Sequence, residues 1–219
     1  MKKATLSVLV LGLMSALALP VFADTTLYND TTVASYQGNG ISISSSSNNA
    51  ATDSFQLTSS ATVTSISLGV LFAKGDSLAG ITWAITSTPS PAITGTGSGY
   101  STPLKSGTAT VFSSIQESAV SGYLDDLVSF SIPALALNAG TAYWLEIDQI
   151  ATTNSKVGEW DESVVGASTA YYEKGLAPSE TFQILGTENT ATTPEPSSFL
   201  LLGSGLAGLA GLIKRKFVA

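Results

Sequence analysis

The chain has 219 residues with sixteen acids, nine Lys or Arg, and neither Cys nor His, which excludes disulfides, thiolate nucleophiles, His general bases and nearly all zinc sites. All sixteen acids lie between Asp24 and Glu195, where four lysines accompany them, so this central part carries a net charge of −12. Such a charge is repelled by phosphate backbones and argues against nucleic-acid binding.

Residues 1–23 have the three parts of a secretory signal peptide. Lys2 and Lys3 precede an apolar run, and a small-residue site ends at Ala23. An uncleaved membrane anchor is the alternative, but the run is short for a span and Pro20 favours cleavage. We predict export through the translocon and cleavage by signal peptidase between Ala23 and Asp24.

Residues 24–186 have the composition of one all-β domain, because short β-rich runs alternate with Ser, Gly, Asn and Pro. Two stretches, Ser42–Ser54 and Ile93–Ser101, lack periodicity and are predicted to be mobile or solvent-exposed loops. Strands are predicted where apolar residues alternate, and weaker candidates follow them: 66–72, 81–85, 128–132 and 143–147, then 108–113, 170–173 and 181–185.

The run AYWLEIDQI contains a candidate ligand face. Strand alternation puts Trp144, Glu146 and Asp148 on the side opposite Tyr143, Leu145 and Ile147. Trp144 is suited to stacking on a sugar ring, and the carboxylates to accepting hydroxyl hydrogen bonds or sharing Ca²⁺. The favoured interpretation is plainer: Trp144 lies under a loop, and the carboxylates keep the strand soluble.

The stretch EWDES is a second candidate, for calcium alone. Glu159, Asp161 and Glu162 would present oxygen ligands in a loop, but the D-x-D-x-D-G spacing of known calcium loops is absent. A solvated acidic loop is the more ordinary interpretation. No other cofactor is predicted.

The sequence contains no recognisable catalytic residues. Serine catalysis lacks a His partner, and no G-x-S-x-G turn occurs. Glycoside hydrolysis needs two carboxyl groups at a set separation, which a sequence does not give. We therefore expect a non-enzymatic protein, with a secreted carbohydrate-active enzyme that uses a carboxylate pair as the alternative.

The C-terminus is predicted to be a membrane-targeting segment, residues 194–219, joined to the body by a linker over 187–193. Pro194 and Pro196 keep the backbone around Glu195 extended and accessible. The uncharged residues 199–213 span about 22 Å as a helix, less than the roughly 30 Å hydrocarbon core. Extension to about 197–213 and snorkelling of the basic cluster make a marginal transmembrane helix. That cluster stays on the cytoplasmic side and comprises Lys214, Arg215 and Lys216.

This order of Pro194, Glu195 and Pro196, an apolar helix and a basic end resembles the PEP-CTERM sorting signal of Gram-negative bacteria. The resemblance implies a precursor anchored in the inner membrane. It also implies that a membrane-embedded exosortase cleaves the segment and releases the body to the cell surface or extracellular matrix. A simple anchor without processing is the alternative.

The body also resembles, diffusely, the jelly-roll sandwiches attached to such signals. TLYND, GITWAITSTP and AGTAYWLEID are among the matching stretches. The resemblance implies a lectin-like antiparallel β-sandwich, flanked by the signal helix and the transmembrane helix, with no catalytic residues. The predicted function is that of an exported surface or matrix protein that associates with polysaccharide.

Overall fold

The computed structural model describes residues 24–31, 40–43, 49–95, 100–120, 122–154, 158–163 and 168–189, with the backbone alone for 115–120. The chain divides into two units after Glu188, and the fold described here belongs to the first. Within the described residues, no helix is long and apolar enough to cross a membrane. Four sets of predicted residues lie outside them: the signal peptide with Ala23, the motif Pro194, Glu195 and Pro196, the transmembrane helix at about 197–213, and the basic cluster Lys214, Arg215 and Lys216.

The described residues form thirteen strands and one short helix. In chain order they are β1 (Thr25–Asn29), β2 (Gly40–Ile43), β3 (Ala51–Gln56), β4 (Ala61–Ala73), β5 (Leu78–Thr86), α1 (Pro91–Thr94), β6 (Lys105–Ala109), β7 (Ser113–Val120), β8 (Tyr123–Leu137), β9 (Ala142–Thr152), β10 (Gly158–Asp161), β11 (Ala170–Tyr172), β12 (Gly175–Ala177) and β13 (Phe182–Glu188).

These strands form two antiparallel sheets. In the β4 sheet, β8 and then β7 follow one edge of β4, while β13 with β1 and β10 with β2 share the other edge. The β9 sheet has the order β12-β11-β3-β9-β5-β6. The all-β prediction is thereby confirmed.

The core lies between the sheets. Trp83 of the β9 sheet packs against Phe130 of the β4 sheet with ring centroids 6.3 Å apart. Phe55 and Phe182 form a second contact between the sheets, with ring centroids 6.1 Å apart. The predicted alternation accounts for these contacts, because apolar side chains two residues apart on β4, β5, β8 and β9 are buried. Burial of about 25 cal/mol per Å² of apolar surface makes this layer the main source of stability.

Both loop predictions are wrong in part. The first contains the end of β2 and the start of β3, with Ile43 and Asp53 fully buried. The second begins inside α1, where Ile93 is buried. The sequence did not show the alternation in β3, because its inward side chains are Ala51, Asp53 and Phe55 and the middle one is polar.

The predicted end of the domain also lies too early. Thr187 and Glu188, which the sequence placed in the linker, pair with Thr62 and Ala61 at the end of β13.

One edge of β4 pairs with two different strands, and Thr181 lies where the two meet. β10 pairs with Val70 and Leu71, whereas β13 pairs from Leu68 backwards. The Thr181 carbonyl accepts hydrogen bonds from the Gly69 amide and from Trp160 Nε1, both at 3.0 Å. The Thr181 amide donates to the Asp161 carbonyl at 2.8 Å. This junction fixes the residues that precede β13.

Gly186 is predicted to be intolerant of a side chain. It lies where the register between β13 and β4 shifts, and a Cβ atom there would overlap the Thr62 carbonyl. Gly186→Ala should lower the free energy of unfolding by about 1 to 3 kcal/mol, because backbone must move. Gly80→Ala is the matched control, since its Cβ would lie 3.6 Å from the nearest atom. Equal stability of the two variants in chemical denaturation would contradict the close approach.

Candidate functional site

The candidate ligand face lies on β9, in the middle of the β9 sheet. Tyr143, Leu145 and Ile147 are buried against the other sheet. Trp144, Glu146 and Asp148 point to the opposite, outer face. The structure therefore brings these three predicted residues to one surface, and neighbouring strands and a covering segment determine what each contacts.

An aromatic pair forms one end of this surface. Trp144 contacts Tyr171 of β11, with ring centroids 5.7 Å apart and planes tilted by 41°. Across the β11–β12 pair, Tyr171 lies opposite Leu176, which is 76% exposed. The adjacent Tyr172 points the other way and packs against the core. Tyr171 is thus the outward member of the Tyr-Tyr pair.

Glu146 is buried rather than displayed. Only 3% of it is exposed, and Ser90, which follows β5, contacts it. Ser90 Oγ donates a hydrogen bond to Glu146 Oε2 at 2.6 Å, and the Ser101 amide donates to Ser90 Oγ at 3.0 Å. The sequence interpretation of these carboxylates as solubilising groups is therefore wrong for Glu146.

A pocket of about 340 Å³ opens beside the two carboxyl groups. Tyr100, Ser101 and Ser106 line it with Glu146 and Asp148, and Ala50, Ala84 and Pro103 complete its wall. Tyr100 is half exposed at the rim. Burial, together with the charges of Asp148 and Glu146, raises the pKa of its hydroxyl. The pocket thus offers several hydroxyl groups and two carboxyl groups.

Both carboxyl groups hold a proton more tightly than exposed acids do, because the pKa of each is raised. Burial raises the pKa of Glu146 to about 7; the Ser90 hydrogen bond opposes this shift, and the charge of Asp148 adds to it. Burial also raises the pKa of Asp148, while its hydrogen bond with Glu146 lowers it. A protonated Glu146 can donate a hydrogen bond and the carboxyl oxygens of Asp148 can accept one, so the pair offers both kinds of hydrogen-bonding group.

The stretch EWDES is not a loop, so that prediction is wrong. Glu159 and Asp161 lie on β10, on either side of the fully buried Trp160. Glu159 Oε1 accepts a hydrogen bond from Ser42 Oγ at 3.2 Å, whereas Glu162 lies opposite Glu180 in an isolated bridge. Strand alternation puts Glu159 and Asp161 on one face and Glu162 on the other, so the three candidate ligands do not converge. Within the described ranges, no group of three or more Asp, Glu, His or Cys side chains is arranged to hold a metal ion.

Sequence reasoning missed the residues that complete the pocket. Ser90, Tyr100 and Ser101 come from a stretch without periodicity, more than forty positions before Glu146. The one local signal was Ser90-Pro91, which marks a helix start because proline suits the first turn. That the serine reaches β9 is a long-range contact that no local pattern encodes.

Glu146→Gln is predicted to change how stability depends on pH. The folded-state pKa of about 7 exceeds the ordinary value of 4.5, so the folded protein holds this proton more tightly. Its stabilising contribution is complete below the ordinary pKa and is lost as pH rises through 7. Relative to the variant, the wild type should lose about 1 to 3 kcal/mol of unfolding free energy over this range.

The control for this comparison is Glu188→Gln, at the exposed end of β13. Denaturant unfolding at pH 4.5, 6 and 8 provides the measurement. Parallel pH profiles for wild type and Glu146→Gln would show that Glu146 ionises as an ordinary surface acid.

Comparison with known proteins identifies one segment. Neither a curated protein nor a solved structure matches the chain. Residues 192–216 match the family model of the PEP-CTERM protein-sorting motif. The resemblance drawn from Pro194, Glu195 and Pro196 is thereby confirmed: the chain carries a PEP-CTERM sorting motif, which indicates an exported protein sorted by an exosortase.

Proposed function

We propose that this protein is a non-enzymatic component of the cell surface or extracellular matrix, and that its sandwich binds polysaccharide. The observation that carries the proposal is the outer face of the β9 sheet. There the Trp144–Tyr171 ring pair lies on the same face as the pocket that contains Glu146 and Asp148.

The chemistry of this face suits a sugar polymer. Aromatic rings cover the apolar C–H faces of sugar rings, while donors and acceptors beside them pair with hydroxyl groups. The pocket of about 340 Å³ is near the lower end of the roughly 300–1,000 Å³ of small-molecule sites. The charge of −12 between Asp24 and Glu195 would repel acidic polymers. A neutral glycan is therefore the expected ligand class.

The spacing of the carboxyl groups favours binding over hydrolysis. Glycosidases hold their two carboxyl groups about 5 Å or more apart, so that a sugar or a water fits between them. Glu146 and Asp148 instead lie two residues apart on one strand and are close enough for each to shift the pKa of the other. We regard a carbohydrate-active enzyme as the alternative that a turnover assay tests.

The proposed route to the surface follows from the sorting motif. The translocon exports the chain, and signal peptidase cleaves between Ala23 and Asp24. The transmembrane helix at about 197–213 anchors the precursor in the inner membrane, with Lys214, Arg215 and Lys216 in the cytoplasm. Exosortase then cleaves near Pro194–Pro196 and releases the body, which we propose is a jelly roll.

Trp144→Ala should weaken glycan binding about tenfold by removing half of the ring pair. The measurement is a screen of purified full-length protein in mild detergent against an array of neutral and acidic polysaccharides. Isothermal titration against the best neutral glycan then follows. Tyr123→Ala is the matched control, because Tyr123 is an aromatic residue 47% exposed on β8 of the other sheet.

Two results would contradict this proposal. If Trp144→Ala binds as tightly as Tyr123→Ala, the ring pair is not the platform. If the wild type shortens any bound glycan and Glu146→Gln does not, the enzymatic alternative replaces the binding function.

Replacing Pro194, Glu195 and Pro196 together by Ala should block C-terminal processing, because the extended recognition segment is lost. In a host that contains exosortase, the variant should remain in the membrane fraction at higher mass, while wild type is released. Intact mass spectrometry provides the measurement, and released wild type should begin at Asp24. Release of Glu188→Gln serves as the control. Release of the triple variant at the mass expected for processed protein would show that exosortase does not recognise these residues.

A further inference from the structure

A second set of acidic side chains lies buried between the two sheets, away from the pocket. Asp53 on β3 points inward between Ala51 and Phe55 and is fully buried. Asp30 follows β1, and Glu180 precedes β13 on the side of the other sheet. Glu180 is also fully buried. The sequence singled out none of these three residues.

Asp30 is fully supplied with hydrogen-bond donors. Ser163 Oγ donates to its Oδ1 at 2.8 Å, and Ser179 Oγ and Ser168 Oγ donate to its Oδ2 at 2.6 and 3.0 Å. The Tyr28 hydroxyl adds a longer contact of 3.3 Å. Ser168 and Ser179 also contact each other, so Asp30 receives at least three hydrogen bonds, which stabilise a buried carboxylate without an ion.

Asp53 and Glu180 differ from Asp30 because three of their four oxygens have no partner. Asp53 Oδ2 accepts a hydrogen bond from the Glu180 amide at 2.7 Å, and Ser179 Oγ, which donates to Asp30, lies 3.2 Å away. Asp53 Oδ1 and both carboxyl oxygens of Glu180 are buried without a hydrogen bond. Burying such oxygens unpaired costs several kcal/mol in general.

The surroundings of Glu180 add to the energetic cost of burying its carboxyl group. The charged groups that act on it are Asp53, Glu162, Asp161 and Asp30, all of them acids. Glu162 and Glu180 oppose each other in an antiparallel bridge, which places their side chains on the same face. The fully buried Glu180 side chain is therefore directed into a group of negative charges.

We propose that Asp53 and Glu180 bind a Ca²⁺ ion between the two sheets. Calcium takes six to eight oxygen ligands at about 2.3–2.6 Å, and two carboxylates balance its charge. Within the part of the chain that the structure describes, no three acidic side chains are spaced to share an ion. The remaining ligands are hence expected to be hydroxyl groups and water. This site differs from the Glu159, Asp161 and Glu162 set that the sequence indicated.

Calcium at this position would connect the sheets. Asp53 belongs to the β9 sheet, and Glu180 is fixed to the β4 sheet through the adjacent Thr181 junction. An ion held by both replaces electrostatic repulsion with a cross-link. The folded state should consequently depend on calcium, which the unfolded chain binds weakly.

Thermal unfolding of the full chain in mild detergent tests the site. With EDTA replaced by about 5 mM CaCl₂, above the roughly 0.1–1 mM dissociation constants of extracellular calcium modules, the Tm should rise by about 2–9 °C. Glu180→Gln and Asp53→Asn should lose this rise, and Glu188→Gln should retain it. Equal MgCl₂ should have a smaller effect, because Mg²⁺ is reluctant to leave its waters.

Terbium luminescence gives a second test that does not depend on stability. Tb³⁺ replaces Ca²⁺ at oxygen sites, and Tyr28 and Trp160 lie near enough to the cluster to sensitise it. Wild-type emission excited through these aromatics should be displaced by Ca²⁺ and should be lost in Glu180→Gln. A wild type whose Tm ignores calcium and which gives no displaceable emission would overturn the proposal, and the two acids would then be neutralised by protons alone.

Discussion

The carbonyl group of Thr181 stabilises the point where one edge of β4 changes its pairing partner from β13 to β10. It accepts the Gly69 amide from β4 and the indole nitrogen of Trp160 from β10. Gly69 is required because a Cβ atom there would lie 2.8 Å from a methyl group of Thr181. The long strand β4 can therefore pair with β13 along one half of this edge and with β10 along the other half. Glu180, immediately before this junction, is fixed in the interior as a consequence.

The β9 sheet depends on a different constraint, the two-residue repeat of its central strand. Because β9 lies between β3 and β5, all of its backbone groups can pair and its side chains must alternate between core and outer face. The outer face of a central strand is normally open to solvent. Here Ser90, which follows β5, lies against Glu146, and this carboxyl group is buried beside the pocket.

Local sequence patterns predicted the parts of this fold that local chemistry determines. Apolar alternation located β4, β5, β8 and β9, since their inward residues are large and apolar. It failed for β3, where Asp53 occupies an inward position, and for β10, where the acids of EWDES outweighed the buried Trp160. The row of Trp144, Glu146 and Asp148 was predictable because one strand carries it. Ser90 and Glu180 were not, because their positions follow from strand order and register.

The Glu146–Asp148 pair and the buried acids between the sheets both reflect the charge composition of the body. Four lysines accompany sixteen acids between Asp24 and Glu195, so at least twelve carboxylates have no lysine available for one-to-one pairing. A buried acid in such a chain must be stabilised by donors, by a proton or by a metal ion. Asp30 is stabilised by serine hydroxyls, and Glu146 holds a proton beside Asp148. Glu180 lacks donors and lies among acids, which is why a divalent cation is the remaining means of stabilising it as a charged group.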